Sequence, residues 1–180
     1  MNINNSSYKL GHTFVSIVSI QLSNPMDVRR LIDSLRMVSN RVLLQAVDAN
    51  YIYGIEHILE VLKITLEYKR RKIIFTKRVE TDLLLRLLCT DQVTVALEKA
   101  MIRTAKPGCF VMFSNHQSGL LKLANQIQDL SICINNDVLS PNKTKRKIIS
   151  DNIGLSNCQI FSDEGFFKYL IEKAALIIKR

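Results

Sequence analysis

The chain has 180 residues, 47% of them hydrophobic, so it can bury a core without disulfide or metal crosslinks. Its 25 Lys and Arg against 16 Asp and Glu leave a net charge of +9, which favours polyanionic partners such as nucleic acid. No stretch reaches the roughly 18 apolar residues of a membrane span, and residues 1–10 lack the features of a signal peptide. We therefore expect a cytoplasmic protein with a flexible N-terminus over residues 1–10 and no membrane partner.

The first half of the chain shows a strand-then-helix pattern twice. Alternating β-branched and aromatic residues predict a strand from Thr13 to Leu22, and a helix follows with Asn24 as N-cap and Pro25 at its first position. "RVLLQAV" predicts a second strand, and apolar residues between Ile55 and Leu66 then form a single helical stripe.

The second half is mostly helical, with one buried strand. The pattern predicts helices over Val79–Cys89 and Asp91–Met101, a strand at "CFVMFS", a helix at "GLLKLANQIQDL", a flexible loop over 135–147 and a closing helix over Asp163–Lys179. These elements predict an α/β fold, a single domain over residues 1–180 in which several helices cover a small mixed β-sheet. Helix dominates the residue count.

Catalytic and metal-binding patterns lack supporting context. His57 has no second His or Cys at ligand spacing, which favours a packing or capping role. "SNHQSG" around His116 follows a strand and is the best catalytic candidate, yet no partner acid accompanies it. The cysteines lie at least twenty residues apart and are predicted to be buried small hydrophobes: Cys89, Cys109, Cys133 and Cys158. We expect no enzyme activity, metal, cofactor or small-molecule substrate.

The segment "EYKRRKIIFTKR", Glu67 to Arg78, carries six basic residues around Ile73, Ile74 and Phe75. Phosphate neutralisation beside apolar surface suits a flexible single strand of nucleic acid. The alternative is a solvated bend whose aliphatic residues lie in the core. The candidate RNA-binding residues are Lys69, Arg70, Arg71, Lys72, Lys77, Arg78 and Arg86.

The helix after this segment contains Leu83, Leu84 and Leu85, followed by Leu87 and Leu88, more leucines than one helical stripe buries. Some of them are expected to face a partner protein. The alternative is a helix covered on both sides within its own domain.

The residues from Gly54 to Val111 resemble a known family in their order and spacing. "GIEHILEVLKITLEYK", a basic hinge, "TDLLLRLLCTDQVTVALEKA" and "CFVMF" are arranged as in the small kinase-binding regulatory subunit of the KEOPS complex, the TPRKB family. The end of the chain, "YLIEKAALIIKR", is similar to the closing helix of archaeal members. The matching positions are His57, Arg86, Gln92, Val93, Ala96 and Leu97.

This resemblance implies a non-catalytic subunit that docks on a small atypical kinase-ATPase. In archaeal members it also implies capture of the single-stranded acceptor end of tRNA for threonylcarbamoyladenosine modification. The candidate kinase-binding residues are Leu83, Leu84, Leu87, Gln92 and Val93. Asp91 departs from the family pattern, which has a basic residue there, and the glycine that follows "ALEK" in the family is missing.

Two other interpretations remain open. One is a stand-alone basic RNA-binding α/β module without a kinase partner. The other is a small hydrolase that uses His116.

Overall fold

The computed structural model describes residues 6–22, 28–103, 105–130, 132–155 and 162–177. The chain forms two compact units, which we call the sheet unit (Met1–Ala49 with Met101–Val138) and the helical unit (Asn50–Ala100 with Leu139–Arg180). The prediction of one domain over residues 1–180 stays a prediction. Within the described ranges, no helix combines the length and apolar composition needed to cross a membrane.

Among its described residues, the sheet unit contains one four-stranded sheet and two α-helices. Its strands are β1 (Ser6–Leu10), β2 (Thr13–Gln21), β3 (Leu43–Asp48) and β4 (Pro107–Ser114), and its helices are α1 (Val28–Val38) and α5 (Gln117–Asp129). The strand order is β1-β2-β4-β3 and all three ladders are antiparallel. The predicted α/β class is confirmed, whereas the sheet is antiparallel and not mixed. The reason is that β4, late in the chain, enters between β2 and β3 and runs opposite to both.

Strand β1 lies within the segment predicted to be a flexible N-terminus. It pairs with β2 through a two-residue turn, with Leu10 opposite Thr13. Gly11 adopts a φ of +59° in this turn, a conformation that glycine reaches without steric cost at the first central position of a tight hairpin. Residues 6–10 are mostly polar and show no hydrophobic pattern that predicts a strand. The stability of β1 comes from its pairing with β2 and not from burial.

The core of the sheet unit follows the alternation of the central strands. Val18 and Ile20 of β2 and Phe110 of β4 pack on one face with Leu35 of α1 and Leu123 of α5. Both faces of the two central strands are buried, which explains their nearly continuous apolar sequences.

The predicted loop over 135–147 is ordered structure. The side chain of Asn136 accepts from Ser19 N–H at 2.9 Å and donates to the Ile17 carbonyl at 3.3 Å, so it completes the edge of β2 beyond β1. Residues 136–139 form a short 3-10 helix, and Asn142 caps the next helix by accepting from Lys145 N–H. The Asn and Lys residues that indicated a loop therefore act as an edge partner, a cap and the first turn of a helix.

The described part of the helical unit contains five α-helices: α2 (Ile55–Arg70), α3 (Val79–Leu87), α4 (Val93–Lys99), α6 (Lys143–Asn152) and α7 (Asp163–Ala175). Helix α2 packs against α3 and α7, and α3 also contacts α4 and α7. The predicted helices of this region are present, with α4 and α7 shorter than expected. The predicted N-cap Asn24 and the predicted first helical residue Pro25, which concern the helix after β2, lie outside the described residues.

Helix α2 ends in a Schellman motif built on a residue that is not glycine. The N–H of Lys72 donates to the Lys69 carbonyl and that of Ile73 to the Tyr68 carbonyl, both at 3.0 Å. Lys72 consequently has a φ of +60°, in the left-handed region that favours glycine. The turn that separates α2 from α3 therefore carries local backbone strain.

Replacing Lys72 with glycine should relieve this strain. We expect Lys72→Gly to raise the free energy of unfolding by about 0.5–1 kcal/mol, the left-handed cost less the extra chain entropy of glycine. Lys69→Gly is the matched control, since it removes the same charge from a helical position and should lower stability by about 1 kcal/mol. Urea denaturation of both variants measures the difference, and equal losses of stability would contradict the expectation.

Candidate nucleic-acid interface

The residues between α2 and α3 form an exposed basic surface. We call residues 69–78 the basic hinge. All six of its Lys and Arg side chains are exposed: Lys69, Arg70, Arg71, Lys72, Lys77 and Arg78. The structure therefore brings together on one short connection all the predicted RNA-binding residues except Arg86.

Two of the six cations are held by Glu67 in the last turns of α2. Arg70 donates to both Glu67 carboxylate oxygens, at 2.6 and 2.8 Å, and Arg71 donates to Oε1 at 2.6 Å. The hydrogen bonds from Arg70 and then from Arg71 lower the pKa of Glu67 to about 2. Glu67 thus stays ionised at neutral pH and offsets part of the positive charge of the hinge.

Apolar side chains lie between the two groups of cations. Ile73 is 46% exposed, whereas Ile74 and Phe75 are half-buried. The "IIF" stretch therefore lies only partly in the core, since Ile73 faces solvent and its two neighbours are partly covered. An unstacked base would find an aliphatic surface at Ile73 beside the cations.

A buried ion pair in α3 holds the far end of the hinge. Asp82 Oδ1 accepts from Phe75 N–H at 2.6 Å, and Asp82 Oδ2 accepts from Arg86 Nε at 2.7 Å. Arg86 also donates to the Ala174 carbonyl at 2.8 Å, and its guanidinium lies 4.2 Å from the centre of the Tyr68 ring. The hinge is therefore anchored to α2, α3 and α7 through a single carboxylate and a single guanidinium.

The assignment of Arg86 to RNA binding is wrong. Its side chain is fully buried and its ion-pair partner Asp82 is equally inaccessible. The sequence places Arg86 on a leucine-rich helix, one turn after Asp82. An Asp and an Arg spaced i, i+4 inside a leucine-rich helix were the available signal.

The leucines of α3 do not form an exposed docking face. Leu83, Leu84 and Leu87 are at most 2% exposed, so these three assignments to kinase binding are wrong. The short helix is covered on all sides, which was the alternative left open by the sequence. Of the remaining candidates, Gln92 is exposed and Val93 half-buried. Leu97, one turn after Val93, is 52% exposed.

His57 has the packing and capping role expected of it. Its ring is fully buried and Nδ1 accepts from Tyr53 N–H at 3.3 Å, just before α2 begins. Burial lowers the pKa of His57 to about 4.

Among the cysteines, Cys109 is buried, Cys89 and Cys133 are half-buried, and Cys158 lies outside the described residues. Burial raises the pKa of the Cys89 thiol to about 12.

Comparisons with known proteins add no relative: no family model matches the chain, and no curated protein is similar to it. The family resemblance consequently rests on the residues quoted from the sequence. Among the described residues, no group of three or more His, Cys, Asp and Glu side chains could hold a metal ion.

Breaking the buried ion pair should cost more than removing both partners. We expect Arg86→Met to lower the free energy of unfolding by about 3–5 kcal/mol, because it leaves the Asp82 charge buried without its partner. Asp82→Asn combined with Arg86→Met should lose less than Arg86→Met alone. Urea denaturation measures both. If the double variant lost as much stability as Asp82→Asn and Arg86→Met lose together as single variants, the two side chains would not depend on each other.

Acidification should destabilise the protein through His57. The unfolded chain binds a proton at His57 near pH 6.5, whereas the folded chain excludes it until about pH 4. Stability is therefore full above pH 6.5 and falls towards pH 4, by about 3 kcal/mol from this residue. His57→Asn, which can still accept from Tyr53 N–H, should flatten this part of the pH profile. His116→Asn, which replaces a histidine at an exposed position, is the matched control. Parallel profiles for wild type and His57→Asn would contradict the prediction.

Proposed function

We propose that the protein is a non-catalytic RNA-binding subunit that recruits tRNA through the basic hinge, as an accessory subunit of a KEOPS-type complex. One observation carries the RNA-binding part. Four exposed cations of the hinge have no ion-pair partner within the described chain: Lys69, Lys72, Lys77 and Arg78. They surround an exposed aliphatic side chain, Ile73.

This combination suits single-stranded RNA better than a duplex. A flexible strand can bring successive phosphates to cations on both sides of Ile73 while one base rests on its side chain. Four phosphate contacts would give a log-log dependence of affinity on salt with a slope of about −3. The single-stranded acceptor end of tRNA, the ligand implied by the family resemblance, has this flexibility.

The kinase-docking part rests on the sequence resemblance. With the α3 leucines buried, docking would use the beginning of α4, where the exposed N-cap Gln92, the half-buried Val93 and the exposed Leu97 lie within two turns. Burial of the leucines also favours the second candidate, a stand-alone RNA-binding module with no kinase partner. A pull-down with a KEOPS kinase subunit separates the two: the accessory subunit retains the kinase and loses it in Leu97→Asp, whereas the stand-alone module retains none.

Charge reversal of the hinge should weaken RNA binding without unfolding the protein. We expect Lys77→Glu with Arg78→Glu to lower tRNA affinity about tenfold or more at roughly 0.1 M salt and to make the salt slope shallower. Lys143→Glu with Lys147→Glu is the matched control, because it changes the same charge at two exposed positions of α6. Fluorescence anisotropy with labelled tRNA measures the affinity of both variants. The wild-type protein should bind tRNA that lacks the single-stranded acceptor end more weakly than intact tRNA.

Neutralising Glu67 tests the hinge in the opposite direction. Glu67→Gln releases Arg70 and Arg71, so it should raise tRNA affinity severalfold and steepen the salt slope towards about −4. Equal affinities for wild type, the hinge reversal and the α6 control would overturn the RNA-binding role of the hinge. A reduced affinity of Glu67→Gln would show that Arg70 and Arg71 act only in ordering α2.

A further inference from the structure

An open cleft of about 660 Å³ lies in the sheet unit, between the end of α1 and the beginning of α5. One wall is the connection from α1 to β3, and the other is the first turns of α5, which follow β4. The "SNHQSG" motif forms the second wall, with His116 and Ser118 lining the cleft. The volume lies within the range of sites for small organic ligands.

The cleft is lined by cations. Arg36, Arg41 and Lys122 all border it, and none of the described lining residues is acidic. Arg41 and Lys122 are exposed, so their charges are available to a ligand. Arg36 lies 3.6 Å from Asp33, a solvent-exposed carboxylate outside the lining, and donates to the Leu44 carbonyl. Two exposed cations, Arg41 and Lys122, and the partly buried Arg36 therefore border a cleft whose described lining holds no carboxylate.

The backbone on both sides of the cleft is held in place. Ser114, at the end of β4, donates to the Arg41 carbonyl at 2.7 Å and accepts from His116 N–H at 3.0 Å. Gly119 lets α5 approach the other wall closely, since a Cβ atom there would lie 3.0 Å from Ser39 Oγ and 3.2 Å from a methyl of Val42. The backbone that carries the positive charges is thus held in place by these contacts before any ligand binds.

The cleft also has an apolar side. Met37 lines it and is 87% exposed, the most exposed large hydrophobic side chain in the described chain. Val38, next to it, is half-buried and also borders the cleft. Cations with an adjacent flexible apolar side chain are suited to a ligand that joins a phosphate to a planar ring, since the thioether of Met packs well on aromatic faces.

We propose that this cleft binds the phosphomonoester of a nucleotide, with Arg41 and Lys122 as phosphate ligands, Arg36 as a supporting cation and Met37 against the base. A phosphomonoester carries close to two negative charges at pH 7, which matches the convergence of cations and the positive end of α5. The group can belong to a free mononucleotide or to the 5′ end of an RNA chain. This site is separate from the basic hinge and does not depend on it.

Titration with AMP, adenosine and inorganic phosphate tests the proposal, with binding measured by calorimetry and located by amide chemical shifts. We expect AMP to bind, adenosine not to bind and phosphate to bind more weakly than AMP. Arg41→Glu with Lys122→Glu should weaken AMP binding by about tenfold or more. Lys106→Glu is the matched control: Lys106 is exposed and precedes β4, roughly 25 Å of strand away from the cleft.

A short RNA, compared with and without a 5′-phosphate, and AMP distinguish the sources of the phosphate. Preference for a 5′-phosphorylated oligonucleotide over AMP assigns the site to an RNA end, and preference for AMP assigns it to a free nucleotide. Met37→Ala should weaken the binding of AMP more than the binding of phosphate.

The proposal is overturned if neither phosphorylated probe binds, if adenosine binds as well as AMP, or if the reversal variant, checked for folding by circular dichroism, binds AMP like wild type. The hinge variant Lys77→Glu with Arg78→Glu should bind AMP normally. Failure of the nucleotide proposal would therefore not contradict tRNA binding by the hinge.

Discussion

The ion pair between Asp82 and Arg86 is the interaction on which the helical unit depends. Two charges with no exposure are costly to bury, and they are tolerated because each has further partners. Asp82 binds the hinge backbone at Phe75, while Arg86 binds a carbonyl in the last turn of α7 and stacks on Tyr68. Tyr68 in turn donates to the Ala175 carbonyl. Carbonyls at the end of a helix lack internal partners, so the same network completes α7 and joins it to α2 and α3.

This anchoring has a consequence for the basic hinge. Because its two ends are tied to buried groups, the connection can present its long cationic side chains without a core of its own. Glu67 sets how much of that charge is available, since it holds Arg70 and Arg71 along the helix and leaves the other hinge cations to solvent. The buried charges organise the backbone, and the exposed charges are available for a polyanion. Exposed pairs of this kind contribute little to stability, so Arg70 and Arg71 can exchange Glu67 for another anion at little cost.

Particular residues explain where sequence reasoning succeeded and where it did not. Apolar periodicity located strands β2, β3 and β4 and most helices, because burial of one face leaves a repeating pattern. It failed at β1 and at Asn136, whose structural roles are backbone pairing and carry no hydrophobic signal. The leucines of α3 were correctly recognised as too many for one stripe, yet a sequence cannot say whether the second face meets a partner or another part of the same chain. For Arg86 the type of residue suggested a phosphate ligand, and only burial reveals its internal carboxylate.

The sequence by itself determined the α/β class, the dominance of helix, the basic character of the chain and the position of the charged connection between α2 and α3. These properties depend on local periodicity and composition, which are readable one segment at a time. The tertiary structure decided which charges are buried, which leucines are covered, and that the walls around Arg41 and Lys122, some eighty residues apart, line one cleft. Such decisions depend on contacts between distant segments, whose free energies arise only when the chain packs.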